Sequence, residues 1–223
     1  MSTHPRPSDA TITVEVYADL VCPWCYIGKR RLDRALDSFP GADDVRVVHR
    51  AFQLDPGAPR SGTLARDYLG ERLGPRAEAV LTHTTRVAAD EGITMDFDRA
   101  LIGNTFDAHR VLWLAGTEGA EAAVKERLFA AYFTDGRDIT RPEVLAAVAA
   151  PDLDAERVLG MLAGPEGVPE VTAQLDAARA SGIRSVPTLV IDGRHAVEGA
   201  QESSALLAAL TRARAEAGTG SPR

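Results

Sequence analysis

The sequence predicts an α/β fold in which one sheet is assembled from both ends of the chain around a long all-helical insertion. Three observations predict it. A period-two apolar pattern opens the chain, a β-branched run with a turn signal recurs near residue 190, and the stretch between them is helical in pattern.

The elements follow in order. Ile12, Val14 and Val16 alternate with Thr13, Glu15 and Tyr17, the signature of a half-buried strand. That strand ends at Asp19-Leu20-Val21. From Cys25 to Phe39, the residues Cys25, Gly28, Leu32, Leu36 and Phe39 share one helical face, and Gly41 stops the helix. Val45, Val47, Val48 and Phe52 suggest a second strand, giving a strand–helix–strand start.

From Leu64 to Gly164 the pattern predicts five or six helices with no strand among them. Breaks are placed at Gly74-Pro75, Gly92, Gly103, Gly116, Gly136 and Pro151. In the segment Gly119–Phe133, Val124, Leu128, Ala131 and Tyr132 read as core. Pro169–Ala180 is a further helix. Thr188–Ile191 is a strand, Asp192-Gly193 a hairpin turn, and His195–Val197 the returning strand. Gln201–Glu216 closes the chain as a helix. The expected organisation is a discontinuous sheet domain over 11–60 and 168–217, a helical insertion over 61–167, and disordered tails at 1–10 and 218–223.

Composition narrows the function. The chain has 223 residues, 45% hydrophobic and 26% charged, which suits a soluble globular protein. Its net charge of −7 argues against nucleic acid and anionic membranes as partners. No apolar run approaches the ~20 residues of a membrane span, and no secretory signal is visible, so a cytoplasmic location is expected.

The only two cysteines stand three positions apart, in Cys22-Pro23-Trp24-Cys25. A structural disulfide framework uses more cysteines and spreads them. A pair after a strand and at a helix start has a redox use. The free N–H groups of the helix end favour a thiolate at Cys22, Pro23 costs nothing in the first turn, and only a thiolate attacks a disulfide. Cys25, one turn on and more buried, is expected to act as the resolving thiol. A half zinc site and two inert core cysteines are the alternatives. Zinc needs four ligands, and His4, His49, His83, His109 and His195 are scattered without ligand spacing. No metal and no permanently bound cofactor are expected. Pro187, in Ser185-Val186-Pro187-Thr188, reads on its own as a strand-start residue. Asn104 is a good helix N-cap, and His109 a helix residue with no assigned role.

Strand, Cys22-Pro23-Trp24-Cys25, helix, and Ser185-Val186-Pro187-Thr188 before a hairpin together resemble the thioredoxin superfamily. The helical insertion resembles its DsbA-like branch. Three stretches are similar to the cytosolic FrnE-like subgroup: Asp19–Gly28, Asn104–Arg110 and Val197–Gln201. The resemblance covers about Ile12 to Leu210. It implies a cis Pro187 packed on the cysteine pair and keeping metals away, and a Val186 backbone that pairs with substrate peptide. It also implies that Asn104 and His109 lie near the active site.

Two departures matter. Many thioredoxin-like folds carry a buried acid six residues before the first cysteine, where this chain has Val16. Asp19 and water are then the candidates for moving the Cys25 proton. Strongly oxidising relatives place histidine between the cysteines, where this chain has Trp24, so a less oxidising couple is expected. The expected activity is dithiol–disulfide exchange or isomerisation on a protein or small-molecule disulfide, with a thioredoxin or glutathione system as redox partner. One alternative is a glutathione-dependent isomerase or kappa-type glutathione transferase, with glutathione as co-substrate. The other is a peptide-binding chaperone module beside Trp24.

Overall fold

The computed structural model describes residues 12–60 and 62–219. Strand β1 (Ile12–Ala18) alternates buried and half-buried positions, then becomes fully buried as it runs towards the cysteines. Helix α1 (Pro23–Asp37) follows, with Cys22 as its extended N-cap and Pro23 at its first position. β2 (Val45–Ala51) returns parallel to β1, with Val16 opposite His49.

The insertion comes next. It contains β3 (Thr63–Leu64), α2 (Ala65–Leu73), α3 (Ala77–Asp90), β4 (Leu101–Ile102), α4 (Phe106–Thr117), α5 (Glu121–Phe133), α6 (Pro142–Ala149) and α7 (Ala155–Ala163). The chain re-enters the sheet through α8 (Val168–Ala180), β5 (Thr188–Ile191) and β6 (His195–Glu198), and ends in α9 (Ser203–Thr219).

The sheet order is β2-β1-β5-β6. β1 is therefore central, pairing parallel with β2 and antiparallel with β5, so residues from both chain ends meet across it. The β5–β6 turn has Asp192 at φ 51° and Gly193 at φ 65°, the two positive φ values that a type I′ hairpin requires. Asp192 is tied back to the central strand, its side chain accepting from the Thr13 N–H at 2.8 Å.

Buried residues of the sheet, of α1 and of the insertion form one continuous apolar cluster. Tyr26 on α1 stacks on Phe129 of α5 with centroids 4.8 Å apart. Its hydroxyl donates to Glu126 at 2.7 Å, and Glu126 also pairs with Lys29 and Arg30. Val124, Leu128, Ala131 and Tyr132 are buried, as their spacing predicts.

Two expectations need correction. The helical block does contain a strand pair, since Thr63–Leu64 pairs with Leu101–Ile102. Two residues are too few to show a period. Nor does Gly116 break a helix: it lies inside α4, and the break falls at Gly119, with φ 74°. At the C-terminus α9 continues to Thr219. The expectations for residues 1–11 and 220–223 lie outside the described residues.

One buried side chain holds the insertion's far end. Arg110 on α4 is 3% exposed, and its guanidinium donates to the carbonyls of Met161, Gly164 and Glu166 at 2.6, 2.7 and 2.7 Å. It therefore adds a second donor to the Met161 carbonyl, which also accepts from the Gly164 N–H, and binds the carbonyls of Gly164 and Glu166 just beyond α7. Replacing Arg110 with Met strands those acceptors, and we expect a loss of about 3 kcal/mol of stability. Urea unfolding checks this, and an unchanged midpoint contradicts it.

Candidate active site

Four residues separate the end of β1 from the start of α1, and the turn they form is held by backbone bonds. The Cys22 N–H donates to the Asp19 carbonyl at 3.2 Å and the Cys25 N–H to the Cys22 carbonyl at 3.0 Å. Both cysteines are free thiols, 4% and 2% exposed.

The second half of the chain closes over them. The Val186–Pro187 peptide bond is cis, and the Cys22 thiol donates to the Val186 carbonyl across a 3.6 Å contact. The Pro187 carbonyl accepts from the Gly199 N–H at 2.8 Å. α1 passes so near Pro187 that a Cβ on Gly28 would stand 3.0 Å from the proline ring. Glycine at this position sets the distance between helix and proline.

The two thiols are not equivalent. Burial pushes the Cys25 thiol well above its ordinary value, the hydrogen bond and charge of Cys22 push the same way, and a backbone bond from Asp19 opposes them. Cys25 is accordingly the protonated partner at neutral pH. Cys22 sits at the N-cap position, at the positive end of the α1 dipole, and its side chain makes no capping bond to the helix.

Asp19 and His109 do meet. Asp19 is buried, and its Oδ2 accepts from the Leu54 N–H at 2.7 Å. His109 Nε2 lies 3.5 Å from Asp19 Oδ1 and 3.0 Å from the Phe52 carbonyl. The shorter contact identifies the carbonyl as the partner, which puts the proton on Nε2. Together these two side chains fasten the segment after β2 to the cysteine turn. Asn104 stands further out. The N-cap of α4 is Thr105, not Asn104 as the sequence suggests: Asn104 lies one residue before it, where its Oδ1 accepts from the Phe106 N–H at 2.9 Å in an Asx turn and its amide donates to the Pro56 carbonyl at 2.9 Å.

Trp24 is half-buried, with its ring 6.0 Å from that of His83. It walls an apolar cavity of about 340 Å³ with Pro23, Leu69, Leu81, Phe97 and Tyr132. A second cavity of about 260 Å³ lies beneath Cys25 and Pro187, and reaches His49 and Lys125.

The histidines are less scattered than the sequence suggests, because His49 and His109 face each other at 5.9 Å. Sequence reasoning named His49 only among the scattered histidines and did not single out Lys125. A signal for Lys125 existed: it lies three and four residues before Leu128 and Phe129, on the buried face of α5. Among the described residues no group of three His, Cys, Asp or Glu side chains is placed to hold a metal. No helix among them is long and apolar enough to cross a membrane.

A mixed sheet with a dithiol turn at its central strand, opposed by a cis proline, defines a thioredoxin-fold protein with an intact Cys-x-x-Cys pair. The chain belongs to the DsbA-like family of thiol–disulfide oxidoreductases: the DSBA-like thioredoxin domain matches residues 13–211. A structure described as a probable DsbA oxidoreductase from Streptomyces coelicolor is 36% identical, with 95% of this chain and 92% of that one covered and a TM-score of 0.88. Two more distant structures share the fold. A 2-hydroxychromene-2-carboxylate isomerase is 18% identical over 94% of this chain and 100% of its own, with a TM-score of 0.71. The cytosolic disulfide reductase DsbM from Pseudomonas aeruginosa, solved with GSH, is 21% identical over 91% and 99%, with a TM-score of 0.63. No curated protein matches the chain.

The closeness of α1 to Pro187 yields a test. Gly28→Val forces the helix and the proline apart, and we expect about 1–3 kcal/mol of lost stability from overpacking. Disulfide reduction should fall with it, because Val186 and Cys22 separate. Wild-type activity in a folded Gly28→Val variant contradicts the assigned contact.

Proposed function

We propose that this chain is a dithiol–disulfide oxidoreductase in which Cys22 attacks and Cys25 resolves. The observation that carries this is the inequality of the two thiols. Cys25 is held protonated by burial, while Cys22 stands at the N-cap position of α1 and faces the Val186 carbonyl.

The Cys22 thiolate attacks one sulfur of a substrate disulfide, and the other sulfur leaves as a thiolate. Cys25, once deprotonated, attacks Cys22 Sγ, and the second substrate sulfur leaves. The substrate gains two electrons and the enzyme ends with a Cys22–Cys25 disulfide. A thioredoxin or glutathione system then returns the dithiol. The Val186 backbone, beside Cys22, is positioned to pair with an extended substrate segment, and the apolar cavity at Trp24 suits a hydrophobic side chain next to the scissile bond. The same dithiol serves isomerisation when the substrate carries a second reactive thiol. The stretches Asp19–Gly28, Asn104–Arg110 and Val197–Gln201 support a place in the FrnE-like subgroup, and the reading is of a cytosolic enzyme.

Glutathione as co-substrate draws support from DsbM, whose structure was solved with GSH. Against a pure glutathione transferase or isomerase stands Cys25, for which such chemistry has no use. A peptide-binding role separate from redox chemistry has no comparable support.

Insulin reduction and refolding of a scrambled disulfide protein test the assignment. Cys22→Ser should abolish both activities, while Cys25→Ser should accumulate a mixed disulfide at Cys22 that is visible by intact mass. Undiminished activity in Cys22→Ser contradicts the proposal. Incubation with oxidised glutathione separates the alternatives: a covalent adduct on Cys22 of Cys25→Ser supports exchange, whereas tight non-covalent glutathione without an adduct supports a transferase.

A further inference from the structure

Cys25 must lose a proton to resolve the mixed disulfide, yet burial holds that proton on. The position six residues before Cys22 is Val16, which is buried and cannot accept it. Asp19 is buried nearby; its Oδ2 accepts from the Leu54 N–H, and its Oδ1, which has no hydrogen-bond partner among the described residues, lies 3.5 Å from His109 Nε2. The other side of Cys25 opens into the cavity of about 260 Å³, whose walls include Val16, His49, Glu121, Lys125 and Pro187.

Lys125 is unusual among the lysines and arginines here. It is 7% exposed, it comes from α5 of the insertion, and among the described residues it makes no salt bridge. Its Nζ lies 3.0 Å from Nδ1 of His49 on β2. A buried lysine without a carboxylate partner is costly to keep charged. Burial draws the Lys125 ammonium down to about 8, while the nearby Cys25 and Glu121 act in the opposite direction. His49 is held well below the usual imidazole range by burial and by the positive charge of Lys125, so it is neutral and accepts from the ammonium.

The groups that face Lys125 come from several elements. Cys25, Lys29 and Asp33 belong to α1, Glu121 to α5 and His49 to β2, where Arg50 acts on His49 in turn. His109 of α4 stacks behind His49.

Given Cys22 attack and Cys25 resolution as proposed above, we propose that Lys125 is the base that takes the Cys25 proton, with His49 as the residue that positions it. The Cys25 S–H bond breaks as a new N–H bond forms on the Lys125 amine. The resulting thiolate, next to an ammonium, attacks Cys22 Sγ. The mixed disulfide bond breaks, and the substrate sulfur leaves as a thiolate that solvent protonates. Lys125 returns its proton to water through the cavity. The helical insertion thereby supplies the function that an acid on β1 would otherwise serve.

Reaction of the reduced protein with 5,5′-dithiobis(2-nitrobenzoate) tests this, because the chain has only two cysteines. Cys22 attack releases the first thionitrobenzoate and Cys25 resolution the second. In wild type the second phase should accelerate with pH through a midpoint near 8. Lys125→Met should slow that phase at pH 7 by about tenfold or more and abolish the midpoint, while the first phase changes less than twofold. Lys125→Gln should behave in the same way, and covers the case in which the methionine variant does not fold. A second phase with wild-type rate and midpoint in a folded variant overturns the role of Lys125. A second phase that persists in Cys25→Ser overturns Cys25 resolution itself, and with it this inference.

Discussion

The site depends on one constraint: α1 must start in the narrow gap between the end of β1 and Pro187. The Asp19 carbonyl takes the Cys22 N–H on one side, and Gly28 lets the helix lie against the proline ring on the other. That confinement gives the two cysteines different surroundings although they are one helical turn apart. Cys22 stands at the N-cap position of α1 and meets the Val186 carbonyl. Cys25 lies deeper, between Cys22 and the cavity that holds Lys125, and burial first and Cys22 second hold its proton on. Thiol–disulfide chemistry needs this inequality, because one sulfur must attack while the other waits.

Much of the fold was legible in the sequence because local signals agreed with it. The alternation from Ile12 to Tyr17, the Asp192-Gly193 turn and the buried run Thr188–Ile191 each state a strand or a turn without help from distant residues. The cysteine turn was legible for the same reason, since Pro23 and the strand before it fix a helix start. The β3–β4 pair was not, because two-residue strands carry no period. The Gly116 break misled because a glycine inside a helix has the same letter as one that ends it.

The functional contacts that escaped the sequence are long-range. His49 and Lys125 lie 76 residues apart and meet only when α5 packs beside β2. Asp19 and His109 come together in the same way, across the junction of sheet and insertion. Arg110, in the same short stretch as Asn104 and His109, serves the end of α7 rather than the cysteines. One motif thus carries three separate duties: a turn before α4, a clamp on the cysteine turn and an anchor for a distant helix. The insertion is more than a cover on the sheet, because α5 stacks Phe129 on Tyr26, pairs Glu126 with α1 and delivers Lys125 beneath Cys25.

The inequality of the two thiols can be measured directly by pulse alkylation of the reduced protein across a pH series, with each cysteine quantified by peptide mass. The account predicts that Cys22 is labelled first at every pH, and that Cys25 stays largely unlabelled until well past pH 9 in the folded protein. Equal labelling of the two, or earlier labelling of Cys25, contradicts it.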